Sequence, residues 1–229
     1  RLENEAIQYQ KRLESLHSHA SSLALARTVE DVSDITLKTM SEALGFGYQS
    51  FHTVENGLVI ARGTLGGPSL VPILPIDGKG ITAMTAREAR TVLINDIREE
   101  PAFVKRYLES LSELAVPVII DERVEAVINA ESEELGAYDS NDKRLVEILA
   151  DHIASAMRRI QSQEMIEELN EQHNRELVEG VRRVSSMVRH DIRGPLQTIM
   201  NASYVAKRDP GKLGEMMAIV AGSVKHAND

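Results

Sequence analysis

Apolar and polar positions in the first part of the chain follow the spacing of a coiled coil. Small or apolar side chains recur at alternating intervals of four and three residues, with charged residues between them. This heptad pattern predicts a helix over residues 1–20 whose seam pairs with a second copy of the chain. The alternative is an amphipathic helix that packs on its own domain. The seam positions are Leu2, Ala6, Tyr9, Leu13, Leu16, Ala20 and Leu23.

A second helix is predicted to begin just after Thr28. Thr28 is suited to cap the helix, and Asp31 follows three residues later, as in a capping box with Asp in place of Glu. The helix is expected to end at Leu44-Gly45, because glycine readily adopts the left-handed conformation that closes many helices.

From Tyr48 onward the apolar period shortens to two, which predicts β-strands. Asn56-Gly57 between two such runs is typical of a type I′ hairpin turn. A second strand pair, 113–120 and 123–132, is predicted to turn at Asp121-Glu122. Between the two hairpins the sequence predicts a loop rich in Gly and Pro over 66–80, helices at 81–89 and 101–110, and a strand at 91–95.

A long helix is predicted to begin near Lys143, after a capping sequence at Asp139–Asp142. Its apolar positions continue without a strong break as far as Gly194-Pro195. Within it the seam positions Leu169, His173, Leu177 and Val181 are spaced by four each time, a stutter that locally unwinds a supercoil. We therefore interpret 159–186 as a signalling helix that connects two modules.

The composition narrows the classes of function. The 229 residues are 42% hydrophobic and only 3% aromatic, so the core must be largely aliphatic. A net charge of -9 argues against a nucleic-acid partner. The absence of cysteine excludes disulfides and thiolate-held zinc or haem, and is consistent with the cytoplasm. No apolar run reaches the roughly 18 residues needed to cross a membrane. Arg1 and the final "HAND" both read as mid-helix, so we expect an excised piece of a longer protein.

Two stretches carry a resemblance to a known family. "GKGITAMTAREARTVLINDIREEPAFV" and "SELAVPVIIDERVEAVINAESEELGAYDSNDKRLVEILADHIASAM" resemble a GAF domain, in the order of elements as well as in residues. The resemblance covers 21–158 and implies an α+β fold with an antiparallel sheet and flanking helices. GAF domains are sensory modules or dimerising spacers, so the resemblance implies a possible small-molecule ligand and leaves its identity open.

His190 lies on the polar side of the predicted long helix. Projected at about 100° per residue from Val188, Pro195 and the other apolar positions fall within about 40° of the seam, whereas His190 falls at about 200°. The imidazole therefore faces solvent. A neutral imidazole, with an ordinary pKa of about 6.5, is a good nucleophile for phosphoryl transfer, and an adjacent carboxylate can hold its second nitrogen.

The segment "HDIRGPL" resembles the phosphoacceptor box of sensor histidine kinases, His-Glu/Asp-x-x-x-Pro-Leu, on a dimerisation and phosphotransfer hairpin of the HisKA type. The resemblance implies that His190 is the phosphoacceptor and Asp191 its acid/base partner. It also implies that Arg193 occupies a frequent basic position and that Pro195 marks a helix bend. Gly194 departs from the family, which often has Thr or Asn there to assist dephosphorylation, so that activity is not carried over.

We therefore interpret the chain as the sensory and phosphoacceptor part of a two-component sensor histidine kinase. The hairpin is expected over 187–229, with a turn at "RDPGK", and two copies would form a four-helix bundle. The expected partners are a second copy, a response regulator receiver domain and an ATP-binding kinase domain that uses Mg²⁺. No cofactor is expected in these residues. The alternatives are a non-catalytic dimeric GAF scaffold and a GAF sensor that binds haem or a metal through histidine.

Overall fold

The computed structural model describes residues 2–67, 71–101 and 110–226, so most of the helix predicted at 101–110 lies outside the described residues. The chain divides into two compact units, residues 1–164 (unit 1) and 165–229 (unit 2). The helices are α1 (Leu2–Leu23), α2 (Val29–Glu42), α3 (Ile81–Glu88), α4 (Ser140–Arg208) and α5 (Leu213–His226), with short 3-10 turns at Ile97–Glu99 and Pro210–Lys212. The strands are β1 (Tyr48–Glu55), β2 (Leu58–Leu65), β3 (Ile73–Pro75), β4 (Val92–Ile94), β5 (Ser112–Ile120) and β6 (Arg123–Ser132).

The capping box predicted at the start of α2 is present. The Asp31 N–H donates to Thr28 Oγ1 at 3.1 Å, and the Asp31 carboxylate accepts from the Thr28 N–H at 3.1 Å and the Arg27 N–H at 2.8 Å. The hydrogen bond from the Arg27 N–H, which has the largest effect, and that from the Thr28 N–H hold the pKa of Asp31 below its usual value. At the other end of the helix Gly45 has a φ of 76°, and its N–H donates to the Ser41 carbonyl at 3.1 Å.

The strands form a six-stranded antiparallel sheet in the order β3-β2-β1-β6-β5-β4. Both predicted hairpin turns are confirmed. Asn56 and Gly57 have φ values of 51° and 77°, and Asp121 and Glu122 have values of 48° and 68°. Two consecutive left-handed residues match the type I′ turn, which follows the twist of the strands that it joins.

Each face of the sheet is covered by helix. On one face, residues of α1, α2 and α4 join alternate strand residues in one apolar cluster, which includes Leu23, Met40, Phe51, Leu114 and Leu149. On the other face, α3 packs against a smaller cluster that includes Val59, Ala115 and Val127. This arrangement confirms the predicted α+β fold class with an antiparallel sheet and flanking helices.

Helix α1 divides into an exposed part and a buried part. Leu16 and Leu23 belong to the core of unit 1 and are 0% and 1% exposed. Ile7 and Leu13, nearer the start, are 46% and 38% exposed. Of the predicted seam, Leu16 and Leu23 therefore pack on their own domain, Tyr9 is half-buried against the same core, and Leu13 is exposed. The coiled coil at 1–20 stays a prediction.

Unit 2 contains the rest of α4 and the whole of α5, with a 3-10 turn between them. That turn begins after Asp209, whose carboxylate accepts from the Gly211 N–H at 3.2 Å, so the predicted break at Asp-Pro-Gly is confirmed. Ala202 is 5% exposed, and the half-buried positions on α5 include Met216 and Val220. Most of the other apolar side chains of the unit are exposed.

Candidate functional site

A row of buried polar side chains crosses the centre of the sheet in unit 1. Ser50 is the register partner of Asn129, and Glu113 is the partner of Glu131, so these residues share one face. It is the face covered by α3. Ala115 lies two residues from Glu113, hence on the same side of β5, and it packs in the cluster that contains α3. We call the set the polar face: Ser50, His52, Glu113, Asn129 and Glu131, each no more than 2% exposed.

Hydrogen bonds link the polar face in two pairs, and one of the pairs is also bonded to a neighbouring loop. His52 Nε2 lies 2.8 Å from Ser50 Oγ. Asn129 Nδ2 donates to Glu131 Oε1 at 3.3 Å, and Ser110 Oγ donates to Glu131 Oε2 at 2.6 Å. Asn129 Oδ1 accepts no hydrogen bond from the described residues. Buried polar groups cost free energy unless they are paired, and a few of them set in apolar walls are typical of small-molecule sites.

The polar face was not predicted from the sequence. The sequence does contain a sign of this face, namely polar residues two apart within otherwise apolar strands. These pairs are Ser50 with His52 and Asn129 with Glu131. A period of two places such pairs on one side of a strand. That all of them lie on the α3 side follows only from the pairing of the strands.

The second candidate site is the exposed phosphoacceptor-like segment on α4 in unit 2. The His190 side chain is 91% exposed and that of Asp191 is 69% exposed, with 3.7 Å between His190 Nδ1 and Asp191 Oδ1. This distance is longer than a hydrogen bond. Arg193 is exposed, and Pro195 is half-buried. The His190 side chain is open to solvent, but so are residues of the predicted seam such as Val188, which is 47% exposed, so the prediction that His190 lies opposite a packed seam stays a prediction.

Pro195 lies inside α4, which runs without interruption from Ser140 to Arg208. Because proline has no N–H, the Asp191 carbonyl has no backbone donor four residues later. One turn below, the Thr198 hydroxyl donates to the Gly194 carbonyl at 3.1 Å. A Cβ added at Gly194 would meet no heavy atom within 4 Å, so a side chain would fit there. The functional roles inferred for these residues stay predictions.

Apolar side chains along the unit 2 part of α4 are exposed to an extent that is unusual for a folded domain. Contiguous exposed apolar surface of this kind marks an interaction site. The residues, each between 47% and 66% exposed, are Met165, Ile166, Leu169, Leu177, Val178, Val181, Val184, Met187, Val188, Ile192, Leu196, Met200 and Tyr204; we call them the α4 stripe.

No helix in the described residues combines the length and the apolar character needed to span a membrane. Within the same ranges, no group of three or more histidine, aspartate or glutamate side chains is arranged to hold a metal ion.

Comparison with known proteins identifies the fold of unit 1. Residues 26–158 match the sequence profile of a family described as the GAF domain. The free methionine-R-sulfoxide reductase from Neisseria meningitidis, solved with its substrate, is 22% identical with a TM-score of 0.63, covering 68% of this chain and 93% of that one. The GAF domain of a phosphoenolpyruvate-protein phosphotransferase from Coxiella burnetii is 15% identical with a TM-score of 0.60, covering 69% and 98%.

A third solved structure, the reduced form of fRMsr of Staphylococcus aureus, is 23% identical with a TM-score of 0.55 and covers 63% of this chain and 94% of that one. At these identities the likeness shows the fold alone. No curated protein matches the sequence.

Proposed function

The chain belongs to the GAF domain family, and from that premise we propose that it is the sensory and phosphoacceptor part of a two-component sensor histidine kinase. One observation carries the proposal: the His190 side chain is 91% exposed, with the Asp191 carboxylate 3.7 Å from its Nδ1. A phosphoryl acceptor needs this exposure, since the donor must approach the nucleophile in line. The surrounding "HDIRGPL" resembles the phosphoacceptor box.

In the proposed reaction His190 Nε2 attacks the γ-phosphoryl group of ATP held by a kinase domain. The phosphorus–nitrogen bond forms as the bond to the oxygen of ADP breaks. The Asp191 carboxylate accepts the Nδ1 proton in a hydrogen bond, which keeps Nε2 free to attack and stabilises the charge that develops on the ring. A response regulator aspartate then receives the phosphoryl group, and the neutral imidazole returns.

The test is incubation of the purified chain with a sensor histidine kinase ATP-binding domain and labelled ATP. We expect acid-labile label on the wild type, none on His190→Gln, and label retained on His17→Gln, a matched variant of an exposed histidine on α1. Asp191→Asn should be labelled more slowly. Equal labelling of His190→Gln and wild type would contradict the assignment.

The α4 stripe supports the homodimer that this function needs. Pairing of the exposed apolar residues of two copies, with α5 alongside, would bury them in a four-helix bundle. The stutter at Leu169, His173 and Leu177 lies within the same stretch and is the proposed point where packing changes on signalling. Replacing these residues by a regular heptad should lock the output in one state, whereas the scaffold alternative predicts that His190→Ala leaves signalling intact.

The polar face is the proposed input site for a small molecule. Among side chains, cysteine thiols are the two-electron reductants, and this sequence contains no cysteine, so we propose ligand binding here and not sulfoxide reduction. Native mass spectrometry of the purified chain should detect a retained small molecule, and Asn129→Leu should lose it while keeping the circular dichroism of the wild type. A bound haem or metal would instead support the alternative of a haem- or metal-binding sensor.

A further inference from the structure

An arginine in the middle of α1 joins the end of α2 to the start of α4 in unit 1. Arg12 Nη2 donates to the Leu44 carbonyl, just beyond α2, at 2.7 Å and lies 2.7 Å from Asp142 Oδ1 in the first turn of α4. The Arg12 and Asp142 side chains are 26% and 10% exposed, so water screens this ion pair less than one on the open surface. The guanidinium also lies 5.9 Å from the centre of the Phe46 ring.

Asp142 belongs at the same time to the cap of α4. Its second oxygen, Oδ2, accepts from the Asp139 N–H at 3.0 Å. In return, Asp139 Oδ1 accepts from the Asp142 N–H at 2.9 Å. Arg12 is therefore bonded directly to the group that starts α4, and a displacement of Arg12 acts on that first turn.

A second arginine connects the same two helices at a separate point, and this arginine lies on α4 with its acceptors at the end of α1. Arg159 of α4 donates from Nη2 to the Ala26 carbonyl at 2.6 Å and the Leu23 carbonyl at 3.2 Å. Leu23 is the last residue of α1 and Ala26 lies three residues beyond it; the Leu23 carbonyl also accepts from the Ala26 N–H at 3.2 Å. We call the contacts of Arg12 and of Arg159 together the α1–α4 clamp.

The order of the contacts gives the direction of the helices. Arg12 meets the start of α4, and the end of α1 meets Arg159 farther along α4, so α1 and α4 run parallel. Arg12 also lies between Ile7, which is 46% exposed, and Leu16, which is buried.

We propose that the α1–α4 clamp is a regulatory device that carries a rotation or shift of α1 directly to α4, by a route that does not pass through the polar face. The inference deepens the proposed function and rests on it for its output, because α4 carries His190. Packing of Leu16 and Leu23 holds α1 on the domain, and the clamp fixes its rotational setting. A guanidinium suits this role, since its rigid fork of donors fixes direction as well as distance.

The first experiment measures the clamp itself by hydrogen–deuterium exchange. In Arg12→Gln/Arg159→Gln we expect the amides at 141–143 and 24–26 to exchange about tenfold faster, as for the loss of hydrogen bonds to a charged group. The control is Lys11→Gln/Arg158→Gln, which removes equal charge at adjacent exposed positions and should exchange like wild type. Asp142→Asn, which keeps a capping oxygen but loses the ion pair, should speed exchange at 141–143 alone. Unchanged exchange in both clamp variants would overturn the proposal.

The second experiment measures transmission. A dimeric coiled coil is joined ahead of residue 1 through linkers lengthened one residue at a time over one heptad. Because the chain has no cysteine, Ser185→Cys provides a single spin-label site, and the distance between labels in two copies reports α4 without any phosphorylation. We expect that distance to vary with linker length in wild type and in the Lys11→Gln/Arg158→Gln control, and to stay constant in the clamp variants.

The outcomes separate this inference from the proposed function. Equal variation of the distance in clamp and control variants would overturn the clamp, even where His190 is phosphorylated. Variation that requires the clamp, in a chain whose His190 never accepts a phosphoryl group, would support the clamp and contradict the kinase assignment.

Discussion

Leu149 and Leu177 lie on the same helix, α4, but the structure predicts opposite consequences for their truncation. Leu149 is 0% exposed in the core of unit 1, whereas Leu177 is 53% exposed in unit 2. Leu149→Ala removes three carbon atoms, worth about 2.4 kcal/mol of transfer free energy, and the cavity raises the total to about 3–4 kcal/mol. For a unit of this size that lowers the melting temperature by about 6–16 °C. Leu177→Ala should change the unfolding free energy of unit 1 by less than about 0.5 kcal/mol.

The assay is urea unfolding followed by the near-ultraviolet circular dichroism of tyrosine. Of the five tyrosines only Tyr204 lies in unit 2, so this signal reports mainly on unit 1. Sedimentation of the same samples should show that Leu177→Ala weakens self-association and that Leu149→Ala does not. A loss below about 1 kcal/mol for Leu149→Ala, or equal losses for the two variants, would refute the assignment of the α4 core.

Three further predictions concern α2. Thr28→Ala removes the helix cap and should lower stability by about 1 kcal/mol in urea unfolding. The pKa of Asp31 is lower in the folded than in the unfolded state, so its ionised form stabilises the fold. This stabilisation is complete above the usual aspartate pKa of about 3.9 and is lost as pH falls through the lower pKa of the folded state. Asp31→Asn should therefore lose less stability in acid than the wild type, as measured by thermal melts from neutral pH downward. Gly63→Ala should cost about 1–3 kcal/mol, because its Cβ would lie 2.4 Å from Ser33 Oγ and 2.8 Å from Leu37 Cδ1; Gly57→Ala, in open space, provides a contrast that acts through its turn alone.

Local features of the fold could be predicted from the sequence because their causes are local. The cap at Thr28 and the turn at Asn56-Gly57 depend on a few adjacent residues. The three-residue strand Ile73–Pro75 was missed, since so short a segment has no measurable period and its proline is typical of a loop or a sheet edge. It occupies the edge of the sheet beside β2.

Features that depend on distant pairing could not be read from the sequence. The heptad spacing of α1 does not determine what covers the seam, and in the structure Leu16 packs on its own domain while Leu13 is exposed. The polar face requires the register of β1, β5 and β6 to bring Ser50, Asn129 and Glu113 to one side. The angular separation of His190 from Val188 and Pro195, by contrast, depends on helical geometry alone, because spacing fixes which residues share a face of a regular helix.

We propose that His190 accepts a phosphoryl group. The most direct test locates the phosphoryl group on the chain by tandem mass spectrometry under conditions that preserve phosphohistidine. The chain would be incubated with a histidine kinase ATP-binding domain and ATP, then digested at neutral pH. We expect phosphorylation of the peptide that contains His190 and of no peptide from unit 1. Phosphorylation of another residue, with His190 unmodified, would contradict it.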